Sequence, residues 1–296
     1  MQKNLQQFEI PGHVVLSNDE NGLPKITITT DQSSAEIYIY GAHVTSFQKK
    51  GEIPLLFMSE SRRVERGKML HGGIPVCYPW FGAHAGEAFS HGFARHSVWD
   101  LMETKAYPSG AVMVRLVLPR KTMVEAGWAA VETELFITVT NKLTLELKVR
   151  NTTKEDFLFE ECFHSYFSVG DIQKTTVHGL QGLQYLDKTE DLVEKLESSN
   201  EIPIVGETNR IYLESTGALE IHDPSLDRTI RIEKMHSHST VVWNPWKEKA
   251  TDLPDFGDDD YLHMLCVESG NVAASAVKLA PGESSSMKVI LSTFSN

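Results

Sequence analysis

The stretch KLTLELKVRN, residues 142–151, sets Leu143, Leu145, Leu147 and Val149 against Thr144, Glu146, Lys148 and Arg150. Side chains of an extended chain point to opposite faces at each step. A period of two therefore predicts a strand with one buried face and one wet face. The pattern recurs in PKITITT, with Ile26 and Ile28, and in AEIYIYGAHVTSF, with Ile37 and Ile39 before Gly41 at a bend or bulge. AVMVRLVLP, TELFITVT, RTIRIEK and SMKVILST follow. Between them stand the turn signals Asn21-Gly22, Pro108-Ser109-Gly110, Asp223-Pro224 and Pro281-Gly282. Short strands punctuated in this way predict an all-β chain, an antiparallel sandwich or barrel. No regular helical pattern separates them, which argues against a parallel βαβ sheet. The best helical candidate is TEDLVEKLESSN, residues 189–200, short and mostly polar. With no internal repeat, low-complexity tract or linker, one domain over residues 1–296 is the simplest division.

The 40 acidic and 28 basic residues leave a net charge of −12. That balance excludes nucleic acid as the main partner, because phosphate backbones are bound through a surplus of Lys and Arg. It also speaks against an anionic membrane surface. A small anion needs only two or three local cations and stays open. The N-terminus lacks an apolar signal core, and no run reaches the length of a membrane span. Cys77, Cys162 and Cys266 lie in apolar contexts without a CxxC pair. These features predict a soluble cytoplasmic protein with buried, reduced thiols rather than a metal site or a cysteine nucleophile.

Three stretches break the alternation, and function on a β scaffold usually sits in such loops. Residues 67–96 are rich in Gly, Pro, His and aromatics. Trp80 and Phe81 offer flat faces on which the C–H side of a sugar could stack, with His91 and Arg95 as polar tips. Residues 161–171, ECFHSYFSVGD, place Cys162, His164 and Tyr166 on one face of a strand and Glu161, Phe163 and Ser165 on the other. An imidazole is the side chain best suited to move a proton near neutral pH. Residues 236–270 contain LHMLCVESG, where Glu268 shares a parity with Leu262, Met264 and Cys266. An acid on a core-facing parity is costly unless it is paired or has work to do. Burial raises its pKa toward the range of a general base. The loop acids Asp255, Asp258, Asp259 and Asp260 do not match an EF-hand spacing. His236 and His238 share a face if HSHS is a strand, but no third ligand accompanies them, so no metal site is expected. Two function classes remain. One is an enzyme working on a sugar with His164 and Glu268 as an acid/base pair. The other is a carbohydrate-binding protein whose Trp80, Trp243 and Trp246 stack on rings without chemistry.

HGGIPVCYPWFG, HGFAR, FHSYFSVGDI, VVWNPW and DDDYLHMLCVESG together resemble, in order and spacing, the motifs of the hexose-6-phosphate mutarotases, or glucose-6-phosphate 1-epimerases. The resemblance runs over roughly residues 10–290. It implies a galactose-mutarotase-like β-supersandwich of large antiparallel sheets, a monomer, and an isomerase that interconverts the α and β anomers of a hexose without metal or cofactor. It implies His164 as general acid and Glu268 as general base, and brings His91 and Arg95 to the sugar and phosphate site. The chain departs from the pattern twice. His71 stands where the family usually has an Arg that helps hold the phosphate. NRIY replaces Asp-Arg-Val-Tyr, so Asn209 replaces an acid while Arg210 is kept as an expected substrate-binding residue. A guanidinium grips phosphate bidentately and an imidazole does not; Lys68 or Arg66 could supply the missing charge. The expected ligand is thus a sugar or sugar phosphate, with the hexose and the need for phosphate left open.

Overall fold

A computed structural model describes residues 5–61, 71–87 and 89–295. Each segment with clear alternation forms a strand at its expected place: Pro24–Thr29, Ser33–Tyr38, Val112–Leu118, Glu132–Val139, Leu143–Arg150, Arg228–Met235 and Ser284–Ser295. In Leu143–Arg150 the odd-numbered residues are buried and the even-numbered ones are not. Every strand pairing among the described residues is antiparallel.

The strands of the described residues build four sheets, two of them large. The nine-stranded sheet runs Glu201–Pro203, Thr176–His178, Leu219–Asp223, Arg228–Met235, Ser284–Ser295, Leu143–Arg150, Glu132–Val139, Val112–Leu118, Asp100–Ala106. The eight-stranded sheet runs Val193–Leu196, Gln184–Asp187, Thr208–Tyr212, Ser239–Asn244, Met264–Asn271, Glu161–Phe163, Val76–Cys77, with Tyr166–Ser168 also paired to Met264–Asn271. A four-stranded meander formed by Val14–Asn18, Pro24–Thr29, Ser33–Tyr38 and His43–Lys49 lies beside them.

The main core joins all three. Ile26 and Ile37 come from the meander, and Val114, Leu135, Leu145, Ile230 and Leu291 from the nine-stranded sheet. Val76, Phe163, Val242, Leu265 and Val267 come from the inner face of the eight-stranded sheet. The opposite face of that sheet carries two smaller clusters, one around Cys77, Cys162, Ile211 and Val241, the other around Tyr166, Phe256, Met264 and Cys266. One sheet is thus anchored on one side, and its other side is free to be built into a pocket. No helix among the described residues is long and apolar enough to cross a membrane.

Two local expectations fail. Residues 189–200 are not a helix: a short 3₁₀ turn at Lys188–Glu190 leads into the edge strand Val193–Leu196. Asp187 draws the chain into that turn by accepting from the Thr189 N–H and hydroxyl. Leu192, Val193 and Leu196 stay exposed, so no core contact rewards a helical stripe. The His236-Ser237-His238 segment is likewise no strand. It turns between Met235 and Ser239, with His236 at φ 56° and its Nδ1 3.0 Å from the Ser286 carbonyl. The two imidazoles therefore do not share a strand face.

Candidate active site

Pairing register brings the two candidate groups together. Phe163 stands opposite Ser269, and Tyr166 opposite Cys266. Continuing either register puts His164 directly across from Glu268, although 104 residues of chain separate them. Cross-strand neighbours on one face have Cβ atoms about 5 Å apart. Here His164 Nε2 lies 3.4 Å from Glu268 Oε1.

The surroundings hold the imidazole in place. The His164 N–H donates to the Pro75 carbonyl at 3.0 Å. Its ring stacks on Tyr166 with centroids 4.8 Å apart and planes 14° from parallel. His91 and Trp243 meet that ring edge-on at 5.6 and 5.9 Å. His91 is held by the Gly82 N–H, which donates to its Nδ1 at 3.3 Å, and by Phe81 at 4.6 Å. That assigns the proton of neutral His91 to Nε2. The following Gly92, at φ 74°, passes so near the Tyr78 carbonyl that a Cβ would come within 2.0 Å of its oxygen. Only glycine lets the chain carry His91 in this close.

Burial sets the charges. Glu268 is 1% exposed, and loss of water pushes its pKa up to about 8; the Cys162 thiol, Lys188 and Arg95 pull it partly back. Burial likewise pushes His164 well below its usual value, helped by His91, Arg95 and His71. The pair therefore keeps a single proton over the neutral range, with the carboxyl and imidazole as its two possible seats. His71 is buried against Phe256 with centroids 5.8 Å apart, and burial lowers its pKa to about 4. At neutral pH it supplies a polar edge and no charge. His91, lowered to about 3 by burial and Arg95, is neutral too. One fixed cation is Arg95, itself buried and in no ion pair with a carboxylate among the described residues. Lys68 and Arg66 lie outside the described residues.

Four sequence-expected residues, His91, Arg95, Phe81 and Trp243, gather around the pair, and His71 borders it through its effect on His164. Two others do not. Trp80 is 2% exposed, belongs to the main core and stacks on Trp128 at 5.5 Å. Alternation through Val76 and Tyr78 turns it inward, while Phe81 faces the other way. Arg210 shares the inner-face parity of core residue Tyr212, pairs with Glu197 at 3.2 Å and lies 4.9 Å over the Tyr185 ring. Its neighbour Asn209, opposite Trp243, is the one on the pocket face. Two contributors were not anticipated. Lys188 stands over Phe81 at 5.7 Å and acts on His91 and Glu268, and Cys162 touches the carboxyl. Among the described residues, no group of three or more His, Cys, Asp or Glu is arranged to hold a metal ion.

Such a site can take a proton from one oxygen of a polyol and return one to another, on a floor edged by aromatic rings. The family model described as "Aldose 1-epimerase" matches residues 24–292. A protein of Cenchrus ciliaris named "Putative glucose-6-phosphate 1-epimerase" is 33% identical over 282 residues, covering 92% of this chain and 85% of its own. An Escherichia coli protein of the same name is 32% identical, covering 83% of each chain. A solved structure entitled a putative mutarotase, from Salmonella typhimurium, superposes with a TM-score of 0.90 at 28% identity over 97% of this chain and 96% of that one. A galactose mutarotase-like protein of Clostridium acetobutylicum shares the fold, with a TM-score of 0.69 at 16% identity over 96% and 98%.

Desolvation of Glu268 has a sign that stability can report. Between 4.5 and about 8 the folded protein holds a proton that the unfolded chain has released, so stability falls as pH rises through that window. Glu268→Gln removes this slope. Thermal unfolding should show the variant's advantage over wild type widening from pH 4.5 to 8 and levelling off below 4.5; a gap constant across that whole window would mean that the carboxyl is not dry.

Proposed function

From a chain that belongs to the aldose 1-epimerase family, and is on that ground an epimerase, we infer a hexose-6-phosphate mutarotase that interconverts the α and β anomers of glucose 6-phosphate. Glu268 is the general base and His164 the general acid. The observation that carries this reading is the 3.4 Å approach of His164 Nε2 to Glu268 Oε1 on a buried aromatic floor.

A pyranose is a cyclic hemiacetal. Glu268 takes the proton of the anomeric hydroxyl, C1=O forms, the C1–O5 bond breaks, and protonated His164 delivers its proton to O5. Rotation about C1–C2 presents the other carbonyl face, and closure reverses both transfers. Proton and electron counts balance, and the pair ends as it began. The working form, imidazolium with carboxylate, has the same single proton as the form favoured by burial. One transfer across the pair interconverts them, with no uptake from solvent. A raised carboxylate pKa also makes the base stronger, which suits an alcohol proton.

Arg95 and Lys188 support the phosphate part of the reading. Neither forms an ion pair with a carboxylate among the described residues, and both act electrostatically on Glu268. With His71 neutral, they are the described cations of the site that can meet an anion. The same reading makes the chain one domain acting as a monomer in the cytoplasm. Its three free, buried cysteines suit a reducing compartment.

Glu268→Gln and His164→Asn should each fold and lower anomer exchange by about 10²–10⁴, read by saturation-transfer NMR; near-wild-type exchange in either would remove its assigned role. The wild-type pH profile should be bell-shaped. It loses activity as pH rises through about 8, where the pair's only proton leaves, and again well below 6.5, where a second is gained. Activity that keeps climbing past pH 8 would contradict a shared proton. Arg95→Ala should raise KM for glucose 6-phosphate far more than for glucose, and equal losses would separate Arg95 from the phosphate.

A further inference from the structure

The carboxyl of Glu268 has two oxygens, and the acid/base reading uses only Oε1. Oε2 is met by the Cys162 thiol, with Sγ at 3.6 Å. We propose that Cys162 is a positioning residue for the general base: its S–H donates to Oε2 and turns Oε1 toward the sugar and His164. This rests on the assignment of Glu268 as base.

The thiol is placed by the sheet. Cys162 stands opposite Gly270, two positions along from the His164–Glu268 pair, so its side chain must cross Gly270 diagonally to reach the carboxyl. A Cβ on Gly270 would lie 2.6 Å from the Glu161 carbonyl oxygen and 2.9 Å from both Cβ and Sγ of Cys162. Its φ is not positive, so glycine there provides steric room, for the Glu161 backbone first and for the thiol beside it. Cys162 is fully buried, and burial together with Glu268 and Cys77 raises its pKa well above the usual thiol value. It therefore stays protonated and donating across the working range.

Sulfur suits the task because it is a weak donor. A hydroxyl here would stabilise the carboxylate more and weaken it as a base; an alkyl group would leave Oε2 unbound and the carboxyl free to swing. The other groups acting on Glu268 are Arg95 and Lys188, which favour the carboxylate, and Cys77, Cys266 and Tyr166, which stay neutral through burial. None of these is seen within hydrogen-bond reach of Oε2.

The test follows anomer exchange of glucose 6-phosphate against pH in wild type, Cys162→Ala, Cys162→Ser and, in parallel, Glu268→Gln. In Cys162→Ala, kcat should fall by up to about tenfold with KM little changed, and the alkaline limb should move to higher pH. In Cys162→Ser that limb should move to lower pH. A thiol that only fills space would leave the limb unmoved in both variants, and that result overturns the proposal. If Glu268→Gln loses exchange while the limbs stay fixed, the base stands and Cys162 does not orient it. If Glu268→Gln keeps exchange, the base assignment fails and takes this inference with it.

Discussion

A carboxyl group held away from water is the constraint on which this site depends. Left in solvent, Glu268 would be a weak base with no fixed aim. Desolvation makes it reluctant to ionise and thereby a better acceptor for an alcohol proton. The cost falls on stability, and the rest of the molecule offsets it with a large apolar core from three sheets. Rigid strands under the site matter as much. A base that must meet O1 while an acid meets O5 tolerates little movement; Glu268 rides on the strand Met264–Asn271, and His164 sits in the two-residue break between Glu161–Phe163 and Tyr166–Ser168, both paired to that strand.

One sheet performs two tasks because strands have two faces. In Met264–Asn271, Leu265 and Val267 enter the main core, while Cys266 and Glu268 face the pocket. In Glu161–Phe163 and just beyond it, Phe163 enters the core, while Cys162 and His164 face the pocket. A slip of one residue would exchange these sets and bury imidazole and carboxyl in hydrocarbon. Apolar packing on the inner face therefore enforces catalytic register on the outer face. That coupling explains why residues so far apart in sequence meet at hydrogen-bonding range.

Much of this could be read from residue order. Alternation located the long strands, since one buried face leaves a period of two. Glu268 stood out because an acid occupied an apolar parity, and His164 because an imidazole shared its face with Tyr166. Short or irregular segments were harder. Val76–Cys77 is only a two-residue strand, too brief to tell which of Trp80 and Phe81 faces the pocket. Arg210 was the residue of NRIY expected to bind substrate, yet strand parity gives the pocket to Asn209 and the guanidinium to Glu197. Residues 192–196 carry apolar groups that fit a helix or an edge strand equally, and only the neighbouring strand Gln184–Asp187 decides. Alternation put Cys162 on the face of His164, but its contact with Glu268, like the place of Lys188 over Phe81, comes from residues distant in sequence.

The most direct measurement is a crystal structure of Glu268→Gln with glucose 6-phosphate bound. The account predicts the anomeric O1 within hydrogen-bond distance of the residue 268 side chain, and O5 within reach of His164 Nε2, with the phosphate toward Arg95 and Lys188. A sugar bound elsewhere, or one whose anomeric carbon points away from both groups, would contradict it.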